Sequence, residues 1–219
     1  MDHPTIPTVD NTYYTDKCTE LEKCIEMNST LQEMKIVYEG WGEITSVIIS
    51  VIRGVTKNKT ITSLTIHVLD AHPPPLPDGV IEQLLKDNNT LQALSLYISD
   101  KLLPSSLNVV EVNTPLIALE IRGRWTRRNN KPMTSSLLSR IKGLHCLILH
   151  DPYPRRLLSL FLSHPSLHTL TLPLYKAKSA IELFTILQTN TTLKALSVEI
   201  QVERVYTSSM GTSLQDMKH

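Results

Sequence analysis

Apolar residues recur along the chain in the pattern L-x-x-L-x-L, where large aliphatic side chains fill the first, fourth and sixth positions. Alternation at the end of this pattern is typical of a short strand with one buried face. The phrase "NNTLQALSL" at 88–96 is nearly repeated as "NTTLKALSV" at 190–198. Seven copies begin 23 to 30 residues apart, at Leu31, Ile61, Leu91, Leu116, Leu144, Leu167 and Leu193. The sequence therefore predicts seven copies of one strand-bearing unit.

A second apolar pattern precedes most of these copies, at ten, seven and six residues before each start. Ile81, Leu84 and Leu85 show it clearly. The spacing i, i+3, i+4 places the three side chains on one face of a helix. Capping boxes of the form S/T-x-x-E at 19–22 and 179–182 predict where two of the helices begin. Each unit is thus expected to run from a helix through a turn into a strand.

Asparagine occupies the turn in most units, three residues before the start of the strand motif. It does so at Asn28, Asn58, Asn88, Asn113 and Asn190. Asparagine tolerates the left-handed conformation that ends many helices, so we expect it to end the helix there. Four of these residues also head N-x-S/T sequons. Because all four share one column, a helix-ending role explains them without glycosylation.

Units of 23 to 30 residues are too small to bury an apolar face alone, so they must stack. Strands joined by helices pair in parallel, and the predicted fold class is an α/β solenoid. We assign 1–17 to a polar N-terminal segment and 18–203 to the solenoid domain. Residues 204–219 form a C-terminal segment or the start of an eighth repeat, because "LQDMKH" at 214–219 is similar to "LQEMKI" at 31–36.

Composition and charge narrow the class of protein. The 219 residues carry a net charge of +1, so no global basic field favours nucleic acid or an anionic membrane. No apolar run approaches the roughly 20 residues of a membrane span. The first residues, "MDHPTIPTVD", do not resemble a signal peptide. Three cysteines without a CxxC pair are typical of reduced thiols. We therefore expect a cytoplasmic protein.

Residues 19–200 resemble the leucine-rich repeat family in its ribonuclease-inhibitor-like subtype, on the strength of these motifs. The asparagine turn before the strand is similar to the C-terminal repeats of NOD-like receptors. The resemblance implies a right-handed horseshoe with parallel strands on the concave face, helices on the convex face, and protein binding without catalysis. Family members usually place Asn or Cys three residues after the motif, where it forms a ladder of hydrogen bonds. This chain has no such residue there, so we expect no ladder.

Strand side chains alternate, so the third, fifth and seventh motif positions should share the concave face. The seventh position gives a row of His67, Tyr97, Arg122 and His150, with Glu120 beside it. Tyrosine and arginine are frequent in binding hot spots, which favours recognition of a protein partner of unknown identity. An ordinary solvated sheet face is the alternative.

Other chemistry is weakly indicated by the sequence. His67 and His150 would lie three strands apart, too far to share one zinc ion. No spacing places a nucleophile beside a base, so we expect neither an enzyme nor a cofactor.

A basic loop at 122–131 surrounds an aromatic residue and offers a different function, nucleic-acid binding by stacking and phosphate contacts. The loop carries Arg124, Trp125, Arg127, Arg128 and Lys131. The balanced net charge favours a solvated loop, and nucleic acid remains the less favoured partner.

Overall fold

The computed structural model describes residues 11–39, 44–68, 76–77, 79–97, 114–122, 141–150, 156–174 and 177–200. Helices and strands alternate through much of this part of the chain. In chain order they are α1 (Asn11–Met27), β1 (Glu33–Tyr38), α2 (Thr45–Lys57), β2 (Ser63–Val68), α3 (Val80–Asp87), β3 (Ala93–Tyr97), β4 (Ala118–Arg122), β5 (Cys146–Leu149), α4 (Arg156–Leu162), β6 (Thr169–Leu174), α5 (Ala177–Leu187) and β7 (Ala195–Ile200). The helix faces predicted near 106–110 and 134–138 lie outside the described residues.

One parallel sheet of seven strands organises the described chain. Each strand pairs with the next in sequence, in the order β1 to β7, and the sheet does not close on itself. Equivalent motif positions stand opposite each other, so that Leu64 faces Leu94 and Leu94 faces Leu119. This confirms the predicted α/β class and the one strand per repeat. The arrangement is compatible with a solenoid.

The strands alternate between buried and accessible side chains, as β2 to β5 show most regularly. The fourth and sixth motif positions are buried and join helix residues such as Ile48 and Leu84 in one core. The helices therefore cover one face of the sheet. We call the other the open face; the third, fifth and seventh motif positions point toward it. At the ends, β1 and β7 are only partly covered within the described chain, and Leu31 is 42% exposed.

Helices α1 and α2 pack closely because α2 carries a glycine at their contact. A Cβ atom on Gly54 would lie 2.8 Å from Cβ of Ile25 and 2.9 Å from the carbonyl oxygen of Glu22. At the end of α2, Lys57 Nζ lies 2.7 Å from Glu22 and 3.4 Å from Glu26. Glycine thus permits the approach, and exposed ion pairs border it.

The asparagine turns hold consecutive repeats together through side-chain hydrogen bonds. The buried Asn58 accepts bonds from the main-chain N–H groups of Thr60 and Ile61, both at 2.8 Å. Its Nδ2 donates to the carbonyls of Ile25 at 2.8 Å and Asn28 at 2.7 Å, one repeat earlier. The bonds close the turn on one side and satisfy the end of the preceding helix on the other.

The same arrangement recurs along the stack. Asn88 donates to Val55 at 2.7 Å and to Asn58 at 3.3 Å, while Asn190 donates to Leu162. This ladder runs through the column before the strand, and is a different one from the family's ladder after the motif, which the sequence lacks. The left-handed backbone expected for these residues was wrong. Asn58 and Asn88 are extended, with φ of −66° and −82°, because the side chain, rather than a left-handed turn, satisfies the helix end.

A histidine replaces asparagine in the sixth repeat. His164 is buried, its Nε2 lies 3.1 Å from the carbonyl of Ile141, and the N–H of Ser166 donates to its Nδ1 at 3.4 Å. The carbonyl can only accept, so the ring carries its proton on Nε2. Imidazole thus supplies the same donor and acceptor pair as an amide, and the ladder continues across this repeat.

Two expected helix starts were wrong. Helix α1 begins at Asn11 and α5 at Ala177, so Thr19 and Ser179 lie inside helices. The S/T-x-x-E letters therefore do not mark the first residues of these two helices. Because α1 begins at Asn11, it extends into the segment 1–17. Residues 1–10 and 201–219, including the segment 204–219, lie outside the described residues.

Candidate functional site

Three side chains of the predicted row stand on neighbouring strands of the open face. The strand register places His67 opposite Tyr97, and Tyr97 opposite Arg122. His150 follows β5, and its main-chain N–H donates to Ile121 at 3.3 Å, which places it beside Arg122. With strands about 4.8 Å apart, the row spans roughly 15 Å.

The first three residues form a contact group that we call the aromatic–arginine stack: His67, Tyr97 and Arg122. The rings of His67 and Tyr97 meet edge to face, with centroids 3.8 Å apart. The guanidinium carbon of Arg122 lies 4.5 Å from the centroid of the Tyr97 ring. Edge-to-face packing and cation–π attraction are each worth about 0.5–1.5 kcal/mol, so the side chains are held in place before any ligand arrives.

A second group, the Glu120 network, comprises Ser95, Glu120 and His150. The hydroxyl of Ser95 donates to Glu120 Oε2 at 2.8 Å, and Nε2 of His150 lies 2.6 Å from Glu120 Oε1. Glu199 approaches Nδ1 of His150 to 3.9 Å. Partial burial opposes ionisation of Glu120, but the hydrogen bonds from Ser95 and His150 outweigh it and lower the pKa of this carboxyl. Glu120 is therefore an ionised, internally satisfied acceptor.

His67 has a buried nitrogen without a hydrogen bond. Within the described chain, no donor or acceptor pairs with its Nε2. Burial lowers the pKa of the His67 imidazole, and the positive charges of Lys35 and Arg122 lower it further. The ring is thus neutral near pH 7 and acts in the stack as an aromatic edge.

Small side chains surround the stack on the open face. The third and fifth positions of the central strands carry Ser63, Thr65, Ala93, Ser95 and Ala118. None of these side chains rises as high above the sheet as Tyr97 or Arg122. The large side chains therefore border a low, partly polar area against which a partner could pack.

Among the described residues, Ser95, Glu120 and His150 are not arranged as a hydrolytic triad. In the Glu120 network the carboxylate lies between the hydroxyl and the imidazole, so His150 is not placed to accept a proton from Ser95. Burial also raises the pKa of the Cys146 thiol, which makes it a weaker nucleophile at neutral pH. Within the described residues, no group of three or more His, Cys, Asp or Glu side chains could hold a metal ion.

The predicted row included His150 and Glu120, but neither Ser95, which donates to Glu120, nor Glu199, which approaches His150, was among the predicted site residues. The shared fifth position of Ser95 and Glu120 on adjacent strands is the signal that could have paired them. The alternative basic site, Arg124, Trp125, Arg127, Arg128 and Lys131, lies outside the described residues.

Comparison with known proteins adds no family to this geometry: no protein-family model and no curated protein matches the chain. Among the helices that the structure describes, none has the length and apolar character needed to cross a bilayer.

Proposed function

We propose that this chain is a leucine-rich-repeat-like solenoid that binds a protein partner on its open face, without catalysis. The observation that carries the proposal is the aromatic–arginine stack, in which Arg122 lies over the ring of Tyr97 and the ring of His67 packs against the same tyrosine. Aromatic and arginine side chains dominate binding energy in protein interfaces. Since the stack is already ordered, little side-chain entropy is lost when a partner binds.

The accessibility of one face of the sheet supports the same proposal. Parallel sheets are usually covered on both faces. In the described residues, the third, fifth and seventh positions of β2 to β5 have no covering layer and remain partly or fully accessible. A partner that packed over the small side chains would complete the second layer, with Tyr97 and Arg122 as anchors.

The repeat pattern supports assignment to the ribonuclease-inhibitor-like type. Strand, turn and helix follow one another at the expected spacing, and the turn asparagines make equivalent bonds in successive repeats. In that family the strands line the concave side of a right-handed horseshoe, which would make the open face the concave one. By the same resemblance, we extend the proposal to a sensor module like the repeats of NOD-like receptors.

The experiment is affinity capture from a cytosolic lysate followed by mass spectrometry, with the wild type and a Tyr97→Ala, Arg122→Glu variant as baits. A protein retained by the wild type and lost by the folded variant would place recognition on the open face. Circular dichroism and thermal unfolding verify that the variant is folded. Equal retention by both baits would refute a role for the stack.

A matched control removes one aromatic and reverses one cation on the helix layer. Phe184 on α5 is 57% exposed, and Lys86 is an exposed residue near the end of α3. The Phe184→Ala, Lys86→Glu variant carries the same change of charge and of aromatic surface. It should retain the partner. Loss of the partner from this control would move recognition to the helices.

A further inference from the structure

We propose that Arg122 is the recognition point for a carboxylate side chain, so that the partner presents an aspartate or glutamate to the aromatic–arginine stack. This inference rests on the proposed function, because it concerns the same open face. It goes further by naming the chemistry of the partner.

Arg122 is held in position by the ring of Tyr97, and its N–H groups make no hydrogen bond to the part of the chain that the structure describes. Its side chain is exposed. A guanidinium carries five N–H donors, and contact with an aromatic face leaves them available. An arginine fixed on a ring can therefore bind an oxyanion through two parallel N–H···O hydrogen bonds.

The acidic side chain beside Arg122 on β4 does not pair with this arginine. Glu120 lies two residues before Arg122, on the same side of β4, but its two oxygens accept from Ser95 and His150. No ion pair joins Glu120 to Arg122, although the charge of Arg122 contributes to the lowered pKa of Glu120. The Glu120 network therefore satisfies the internal carboxylate, and Arg122 is left for an external one.

The charge of the surrounding face favours a single carboxylate over a phosphate group. The charged side chains at the third, fifth and seventh positions of the described strands are Glu33, Lys35, Glu120, Arg122 and Glu199. These are three carboxylates and two cations, so the face has no excess of positive charge. Glu120 repels any anion, but it repels a dianionic phosphate or a nucleic-acid backbone with several charges more strongly than one carboxylate, whose single charge matches one guanidinium.

The test uses a phage-displayed library of random linear peptides, selected on the immobilised full chain. We expect the recovered peptides to be enriched in Asp or Glu. Replacing the recovered acidic residue by its amide, Asp→Asn or Glu→Gln, should weaken binding at least tenfold. In the Arg122→Gln protein the same replacement should change affinity less than twofold, because the partner charge no longer has a counterpart. The Arg122→Lys protein keeps the charge but loses the paired N–H donors of the guanidinium, so the amide replacement should weaken its binding by an intermediate factor, between twofold and tenfold.

Two control proteins separate the possible outcomes. Lys86→Gln removes a cation from the helix layer and should leave the dependence on the acidic residue intact. Ala93→Gln with Ala118→Gln blocks the open face with neutral side chains and should abolish binding. If binding needs an unblocked face but tolerates the amide peptides, the carboxylate inference is wrong and the proposed function stands. If binding survives the blocked face, both are wrong. Failure to recover any acidic peptide also overturns the inference.

Discussion

The side-chain amide of Asn88 donates to the main-chain carbonyl of Asn58, at 3.3 Å, in the equivalent turn one repeat earlier. It donates also to Val55 at 2.7 Å, near the end of the preceding helix. Each asparagine thus connects its own turn to the layer before it. The ladder fixes the relative position of consecutive repeats, and with it the strand register that assembles the open face.

Replacing Asn88 by alanine should destabilise the protein strongly. The change leaves the N–H groups of Thr90 and Leu91 without an acceptor in a buried turn, and each unsatisfied group costs about 1–3 kcal/mol. The carbonyls of Val55 and Asn58 lose one donor each but still accept from the Asn58 N–H and the Thr90 hydroxyl. We expect a loss of about 3 kcal/mol in the free energy of unfolding, measured by urea denaturation. Asn28→Ala is the control. Asn28 accepts from Thr30 and Leu31 in a more exposed turn, so its loss should be about 1 kcal/mol. Equal losses at the two positions would contradict the inter-repeat role.

The asparagine column could be found in the sequence, but its function could not. Periodicity located the residues because every repeat needs the same turn. Backbone preference then suggested a left-handed helix end, whereas Asn58 and Asn88 are extended. The deciding interaction is a donor bond to the neighbouring layer, and such a bond becomes apparent only when the layers are stacked. His164 was not predicted to belong to the ladder, because a search for asparagine does not find a histidine that makes the equivalent hydrogen bonds.

His164→Asn should be tolerated, while His164→Ala should not. Asparagine can donate to the carbonyl of Ile141 and accept from the turn N–H, as the imidazole does. Alanine can do neither, and we expect it to cost about 2 kcal/mol. Thermal unfolding of the two variants compares them directly. Should asparagine prove as damaging as alanine, ring packing rather than hydrogen bonding is the role of His164.

Gly54→Ala should destabilise the N-terminal repeats, against the usual preference of helices for alanine. In an open helix interior the change would stabilise by roughly 1 kcal/mol. Here the new methyl group would lie 2.8 Å from Cβ of Ile25 and 2.9 Å from a main-chain oxygen, so α1 must move away. Overpacking of this kind costs about 1–3 kcal/mol. Hydrogen exchange should show weaker protection in α1 and α2, with β5 and β6 unchanged. A rise in stability would show that α1 moves away from the new methyl group without a loss of packing energy.

The site was predictable to the level of the strand register and no further. Alternation placed His67, Tyr97 and Arg122 in one row, and the parallel pairing confirms that placement. The division of the row into a stack and a separate Glu120 network depends on side-chain rotamers. Those rotamers are set by contacts between strands, such as that of Ser95 with Glu120, and a linear pattern does not contain them.

His67→Phe should stabilise the protein, and more so in acid. Phenylalanine keeps an aromatic edge against Tyr97 and removes a buried nitrogen that has no hydrogen-bond partner in the described structure. The pKa of His67 is lowered in the fold, chiefly by burial. As pH falls below the ordinary value of 6.5, the unfolded chain therefore binds a proton more readily than the folded one, and wild-type stability declines until the pH passes the folded pKa. Above pH 6.5 this penalty is absent.

Urea unfolding at pH 5 and pH 8 should show that the variant gains more free energy of unfolding over the wild type at pH 5 than at pH 8. Because other histidines titrate in both proteins, only the difference between the two proteins reports on His67. A gain that is equal at the two pH values would mean that His67 ionises as readily in the fold as in the unfolded chain.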